Sequence, residues 1–236
     1  MSTQEGQENN FPPLPKFLRV RPCFYQNIQE EIPGQHQQLV QRIFRLWMIY
    51  SATLCMNVIG CIAWWAAGGN GSNFGYSLLW LILFSPCSYV CWFRPIYKAI
   101  RADSSFNFMA FFFIFFLQLV LAIIQCIGVY NWGVCGWIAT VVIFKTNTVA
   151  AIFMLPTALL LTLVTILMLL VLVKVHRLYR GIGGSMGNAR EEWGTGTWKS
   201  APVKRGEVSN IDPNTQGPSL PEYPASVPSY VDNRGW

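Results

Sequence analysis

Of 236 residues, 53% are apolar and 12% are charged, with a formal net charge of +6. Soluble domains carry roughly 25% charged residues, so a water-facing surface of ordinary polarity cannot be built from this chain. A disordered chain, a soluble enzyme of ordinary surface and a disulfide-stapled secreted domain are excluded, and the composition is that of a membrane protein.

Residues 1–45 are polar and contain proline, and they are too long for the n-region of a signal peptide. They read as a cytosolic segment, with the first span acting as the insertion signal. The uncharged run Leu46–Phe93 is interrupted by Gly68-Gly69-Asn70-Gly71-Ser72-Asn73. This predicts a first span over 46–67, a short lumenal loop over 68–73 and a second span over 74–93. Residues 94–105 form a basic cytosolic loop. Ser104–Phe144 is uncharged over 41 residues, about 60 Å if helical, twice the bilayer core of about 30 Å. A break is expected where glycines gather, at Gly128–Gly136, so the third span covers 106–127 and a lumenal connection 128–148. The fourth span covers 149–173. Residues 174–236 form a cytosolic tail that is largely disordered, since its stretch after 200 holds few aliphatic residues to bury. The fold class is an all-α membrane protein with four transmembrane helices.

Lys and Arg near helix ends are retained on the cytosolic side. Lys16, Arg19, Arg21, Arg42 and Arg45 precede span one; Arg94, Lys98 and Arg101 follow span two; Lys174, Arg177 and Arg180 follow span four. Lys145 is the one basic residue of the far side. Both termini and the middle loop are therefore expected in the cytosol. A fifth span through Trp137–Phe153 would bury Lys145 in mid-helix, at roughly 2.5–3.5 kcal/mol or more.

Little in the chain suggests catalysis. No carboxylate falls in a span, where proton-coupled transport usually needs an ionisable group, and His36 and His176 lie outside the spans. The seven cysteines include no CxxC, so no metal site is expected, and no cofactor. Only Cys135 lies in a lumenal connection, which predicts no lumenal disulfide within the chain. Cys87 and Cys91, near the cytosolic end of span two, read either as S-palmitoylation sites or as small packing residues. No nucleic-acid-binding motif accompanies the positive charge. Asn70-Gly71-Ser72 is formally a glycosylation sequon, held too close to the membrane for modification to be expected.

The segment Cys91-Trp92-Phe93-Arg94-Pro95-Ile96-Tyr97-Lys98-Ala99-Ile100-Arg101 is the most informative. Arg94, Lys98 and Arg101 fall within about 60° of one another on a helix, with Trp92, Phe93, Ile96, Ala99 and Ile100 opposite and Tyr97 at the border. Pro95 suits a first helical turn. The pattern predicts a short interfacial amphipathic helix between spans two and three, apolar side down, cations level with headgroup phosphates. Trp92, Phe93, Arg94, Tyr97, Lys98 and Arg101 are the candidate lipid-binding residues, and acidic phospholipids the candidate ligand. Topology determination alone explains the same cations.

This segment resembles the CWYRPIYKAFR-like signature of the secretory carrier-associated membrane proteins, with Phe93 and Ile100 as departures. Asn9-Asn10-Phe11-Pro12-Pro13-Leu14-Pro15, Pro22-Cys23-Phe24-Tyr25-Gln26, Asp103-Ser104-Ser105-Phe106, Trp132-Gly133-Val134-Cys135-Gly136-Trp137, His176-Arg177-Leu178-Tyr179-Arg180-Gly181 and Glu192-Trp193 resemble further family blocks. The resemblance covers roughly residues 9–200. The short N-terminus and Leu220-Pro221-Glu222-Tyr223-Pro224 are similar to the family's short form, and the Asn-Pro-Phe repeats of longer members are missing. It implies a non-catalytic, four-span protein of trans-Golgi, recycling-endosome and secretory-vesicle membranes, whose middle loop binds phosphoinositides and acts in membrane fusion with the trafficking machinery. Two other readings remain open: a cargo or assembly scaffold forming homo- or hetero-oligomers with related tetraspan proteins, and a small channel or solute carrier built on Asn57, Gln118 and Gln125.

Overall fold

The computed structural model describes Asn10 and residues 24–196. The disorder expected after residue 200 lies outside the described residues, as does most of the N-terminal proline-rich block.

Every regular element among the described residues is helical: α1 (Ile28–Glu31), α2 (Gly34–Ala66), α3 (Ser72–Ser88), α4 (Arg94–Ala102), α5 (Ser105–Ile127), α6 (Trp137–Phe144), α7 (Thr148–Gly181) and α8 (Met186–Thr195). A π-helical turn, Tyr89–Phe93, joins α3 to α4 without a break. Four helical stretches are long and apolar enough to cross a bilayer: Gly34–Ala66, Ser72–Ala102, Ser105–Ile127 and Thr148–Gly181. Ile82, Phe113, Val149 and Leu170 on their flanks are each at least 60% exposed. Aliphatic and aromatic flanks of that kind match a hydrocarbon surrounding.

Three of these helices overrun the uncharged stretches that predict spans. The α2 helix starts at Gly34, well before Leu46, and α7 continues past Val173 to Gly181. The residues expected as a separate basic loop continue the second long helix. Two prolines control this continuation. Pro86 sits inside α3, and Pro95 lies in the first turn of α4, where its missing N–H removes little. Between them the backbone widens, and the Arg94 N–H donates to Tyr89 O five residues back. The π turn inserts one extra residue and rotates everything after it. Asp103, in the left-handed region at φ 49°, then ends α4. Ser104 starts α5, its side-chain oxygen accepting the Asn107 N–H at 3.3 Å.

Helix α2 packs on α3 and α7, and α5 packs on α4, α7 and α8. The larger buried cluster fills the end where α4 lies and is strongly aromatic, with Tyr50, Tyr89, Trp92, Phe93, Tyr97, Phe108, Phe111 and Phe115 in its interior. A smaller cluster at the opposite end joins α2, α6 and α7 around Cys61, Trp64, Cys135 and Met154.

At that opposite end the connection from α5 to α6 folds inward. Gly128, at φ 76°, ends α5. A Cβ added to Gly136 would lie 2.4 Å from both Gly128 Cα and Gln125 O, so only glycine permits this backbone contact. Between these glycines the chain plugs the bundle. The Asn57 amide donates to Gly133 O and accepts the Cys135 N–H, both at 2.7 Å. Asn73 accepts the Gly133 N–H at 3.1 Å, and Trp80 donates its indole N–H to Trp132 O at 2.9 Å. Residues 128–148 are thus a structured element carrying α6, not a plain loop.

Candidate functional site

Helix α4 carries the three cations on one side and is locked into protein on the other. Trp92, Phe93, Ile96, Tyr97 and Ala99 are fully buried, and Ile100 nearly so. The sequence reading turned this apolar side toward lipid; in the structure other helices and the chain before α1 cover it. Trp92 meets the Phe115 ring of α5 edge-on at 5.1 Å, and Phe93 meets Phe44 of α2 at 5.4 Å. Phe24 stands edge-on to Tyr97 at 5.2 Å. Of the six candidate lipid-binding residues, the three aromatics therefore build the core beneath the site, and the three cations remain at or near its surface.

The strap that brings Phe24 over α4 is itself clamped. Asn10 donates its side-chain amide to Gln26 O at 2.9 Å and accepts the Gln26 N–H at 2.8 Å. The Tyr89 hydroxyl donates to Gln26 Oε1 at 3.0 Å. The Asn27 N–H donates to the Tyr97 hydroxyl at 2.9 Å, and Tyr97 in turn donates to Glu31 Oε2. Residues far apart in sequence, Asn10, Phe24–Gln26 and Cys91–Arg101, form one structural unit.

Each cation has a different environment. Arg101 pairs with Glu31 at 2.8 Å, both side chains partly buried. The Arg94 guanidinium lies 5.3 Å from the Phe24 ring centroid, a cation–π contact. Lys98 between them is exposed. Among the described residues no carboxylate lies within ion-pair distance of Lys98, and Arg94 shares its helix side while Glu31 offsets Arg101, so the field at Lys98 favours an anion.

A second junction braces the site from the far end of the chain. Glu192 on α8 accepts the Ser105 N–H at 2.9 Å, the Phe106 N–H at 3.0 Å and the Ser104 hydroxyl at 2.7 Å. A carboxylate so placed satisfies the unpaired amides of the α5 N-terminus and complements its dipole. Trp193 packs on Phe106 at 5.0 Å, and Tyr179 on Phe108 at 5.3 Å.

The sequence reading places no carboxylate in a span and gives Glu31 and Glu192 no role. The Glu192-Trp193 block was the one available signal for the second. The amides weighed for a channel divide between two places. Asn57 holds the plug, whereas the Tyr50 hydroxyl lies between Gln118 and Gln125 and donates to Gln125 Oε1 at 3.5 Å. Cys87 and Cys91 are both exposed, four residues apart along the helix. Among the described residues no group of three or more His, Cys, Asp or Glu is placed to hold a metal.

The profile of the SCAMP family matches residues 8–182. The chain is 57% identical over 230 residues to the mouse (Mus musculus) secretory carrier-associated membrane protein 4, covering 98% of each chain. It is 55% identical over 230 residues to the Homo sapiens protein of that name, again with 98% of each covered. To the Danio rerio secretory carrier-associated membrane protein 5 it is 56% identical over 198 residues, 84% of this chain and 86% of the other. No solved structure matches the chain. With a family profile spanning most of its length and relatives this similar end to end, the chain belongs to the secretory carrier-associated membrane proteins, a family of non-catalytic multi-pass membrane proteins.

Proposed function

We propose that this protein works in post-Golgi carriers, on secretory-vesicle, trans-Golgi and recycling-endosome membranes, by gathering acidic phospholipids under its α4 cations. The names of its relatives support the carrier assignment. The orientation that suits the charge distribution has both termini and α4 on the cytosolic side, so Arg94, Lys98 and Arg101 meet the anionic leaflet, and fusion and trafficking machinery meets the same face. One observation carries the lipid reading: α4 buries its entire apolar side in the protein while Lys98 stays exposed between two further cations. The aromatic side needs no lipid, so the basic side is held at a fixed height and cannot turn away.

Each cation near an anionic leaflet contributes about 1 kcal/mol. A free Cys91–Arg101 peptide is a poor probe, because it releases Trp92, Phe93, Ile96 and Tyr97 to bind any bilayer. The test uses the intact protein in nanodiscs, comparing phosphoinositide enrichment around wild type and Lys98→Gln. Expected is enrichment over phosphatidylcholine in wild type and about a fivefold weaker one in the variant. Equal lipid composition around both proteins would overturn the proposal.

A further inference from the structure

Cys61 of α2 and Cys135 of the plug face one another at the end of the bundle opposite α4. Both are fully buried free thiols, and their Sγ atoms are 3.6 Å apart. The contact joins residues 74 positions apart in sequence. A disulfide brings its sulfurs to about 2.0 Å, so a short approach remains. Two features favour it. A Cβ added at Gly60 would lie 2.9 Å from Cys135 Sγ, so only a bare glycine lets the thiol sit this close to α2. Cys135 also stands on non-helical backbone positioned by Asn57, not on a helix that must move as a whole. The remaining neighbours in this cluster, Trp64, Ala139 and Met154 among them, are apolar. Among the described residues no third His, Cys, Asp or Glu joins them to hold a metal, so covalent pairing is the chemistry open to two facing thiols.

We propose that Cys61 and Cys135 are a dithiol–disulfide pair that fastens the plug to α2. The co-reactant is a disulfide donor. When the plug opens, Cys135 loses its proton and attacks one donor sulfur, forming a mixed disulfide and expelling one donor thiolate. Cys61 then loses its proton and displaces the second donor thiolate from Cys135. The Cys61–Cys135 bond forms as the donor disulfide breaks. Two electrons pass to the donor, and the two protons given up by the cysteines complete its two thiols. In the orientation proposed above, this end lies away from the cytosol, on the side where disulfides persist.

The experiment treats the purified full-length protein in nanodiscs with glutathione disulfide, alkylates it under denaturing, non-reducing conditions, and maps cysteines by mass spectrometry. Expected is a cross-linked peptide pair containing Cys61 and Cys135, reversed by dithiothreitol, with the alkylated forms of both peptides falling by the same fraction. In Cys61→Ala the resolving thiol is gone, and glutathione stays on Cys135. Recovery of both cysteines of the wild type as separate alkylated peptides would overturn the proposal. So would glutathione retained on wild-type Cys135 without the cross-link. The wild-type mapping decides the matter even where the variant does not fold.

Discussion

Asn57 pairs through both ends of its amide with the plug backbone, accepting from Cys135 N–H and donating to Gly133 O at 2.7 Å each. It is 1% exposed, so water cannot replace either bond. Asn57→Ala leaves both plug groups unpaired, each at about 1–3 kcal/mol. Thermal unfolding in detergent should show a destabilisation of about 2–6 kcal/mol, and a change within scatter of wild type would contradict this role. In the sequence, Asn57 stands out as a polar residue in an apolar span, open to a channel reading, and nothing there marks it as a clamp on the plug. Its partner lies 76 positions away, and no local spacing marks such a pairing. Cys61 was hidden for a similar reason. Its place in an apolar span conceals that the plug descends to its level and brings Cys135 against it. The α4 cations were more legible, because their spacing of four and three places them together on any helix.

At the scale of elements, helix formation runs past the hydrocarbon. Charge counting locates where a bilayer would end, but backbone hydrogen bonding continues wherever the next residues permit it. That is why α2 begins at Gly34 and why Ser72–Ala102 is continuous. The two-sided pattern of α4 was readable from its period. What covers its apolar side was not, since lipid tails and Phe, Trp or Leu side chains are equally apolar partners. The covering became visible only with Phe24, Phe44 and Phe115 in place. The junction of α8 with α5 makes its own prediction. Glu192→Ala removes three hydrogen bonds and a favourable charge from the start of α5, a loss of about 1–2 kcal/mol by analogy with helix capping. Amide hydrogen exchange at Ser105 and Phe106 should accelerate in the variant, together with exchange throughout α8. Unchanged protection at those two amides would contradict the bracing role.

Across the whole molecule, the two ends differ in chemistry. One end gathers Arg42 and Arg45 of α2, the cations of α4, and Lys174, Arg177 and Arg180 of α7, above a dense aromatic core. The other carries Lys145, the two facing thiols and the plug. This asymmetry was the most legible property of the sequence, because a bilayer separates charge by position along the chain. It also carries the functional account: acidic lipid can be gathered only if the α4 cations face the cytosolic leaflet. Lys98 and Lys145 are both exposed and stand at opposite ends, so the unmodified protein reports its own orientation. A membrane-impermeant amine-reactive ester, applied to sealed vesicles with their cytosolic face outward and read by mass spectrometry, should modify Lys98 at once and Lys145 only after permeabilisation. Modification of Lys145 in sealed vesicles with Lys98 protected would contradict the account.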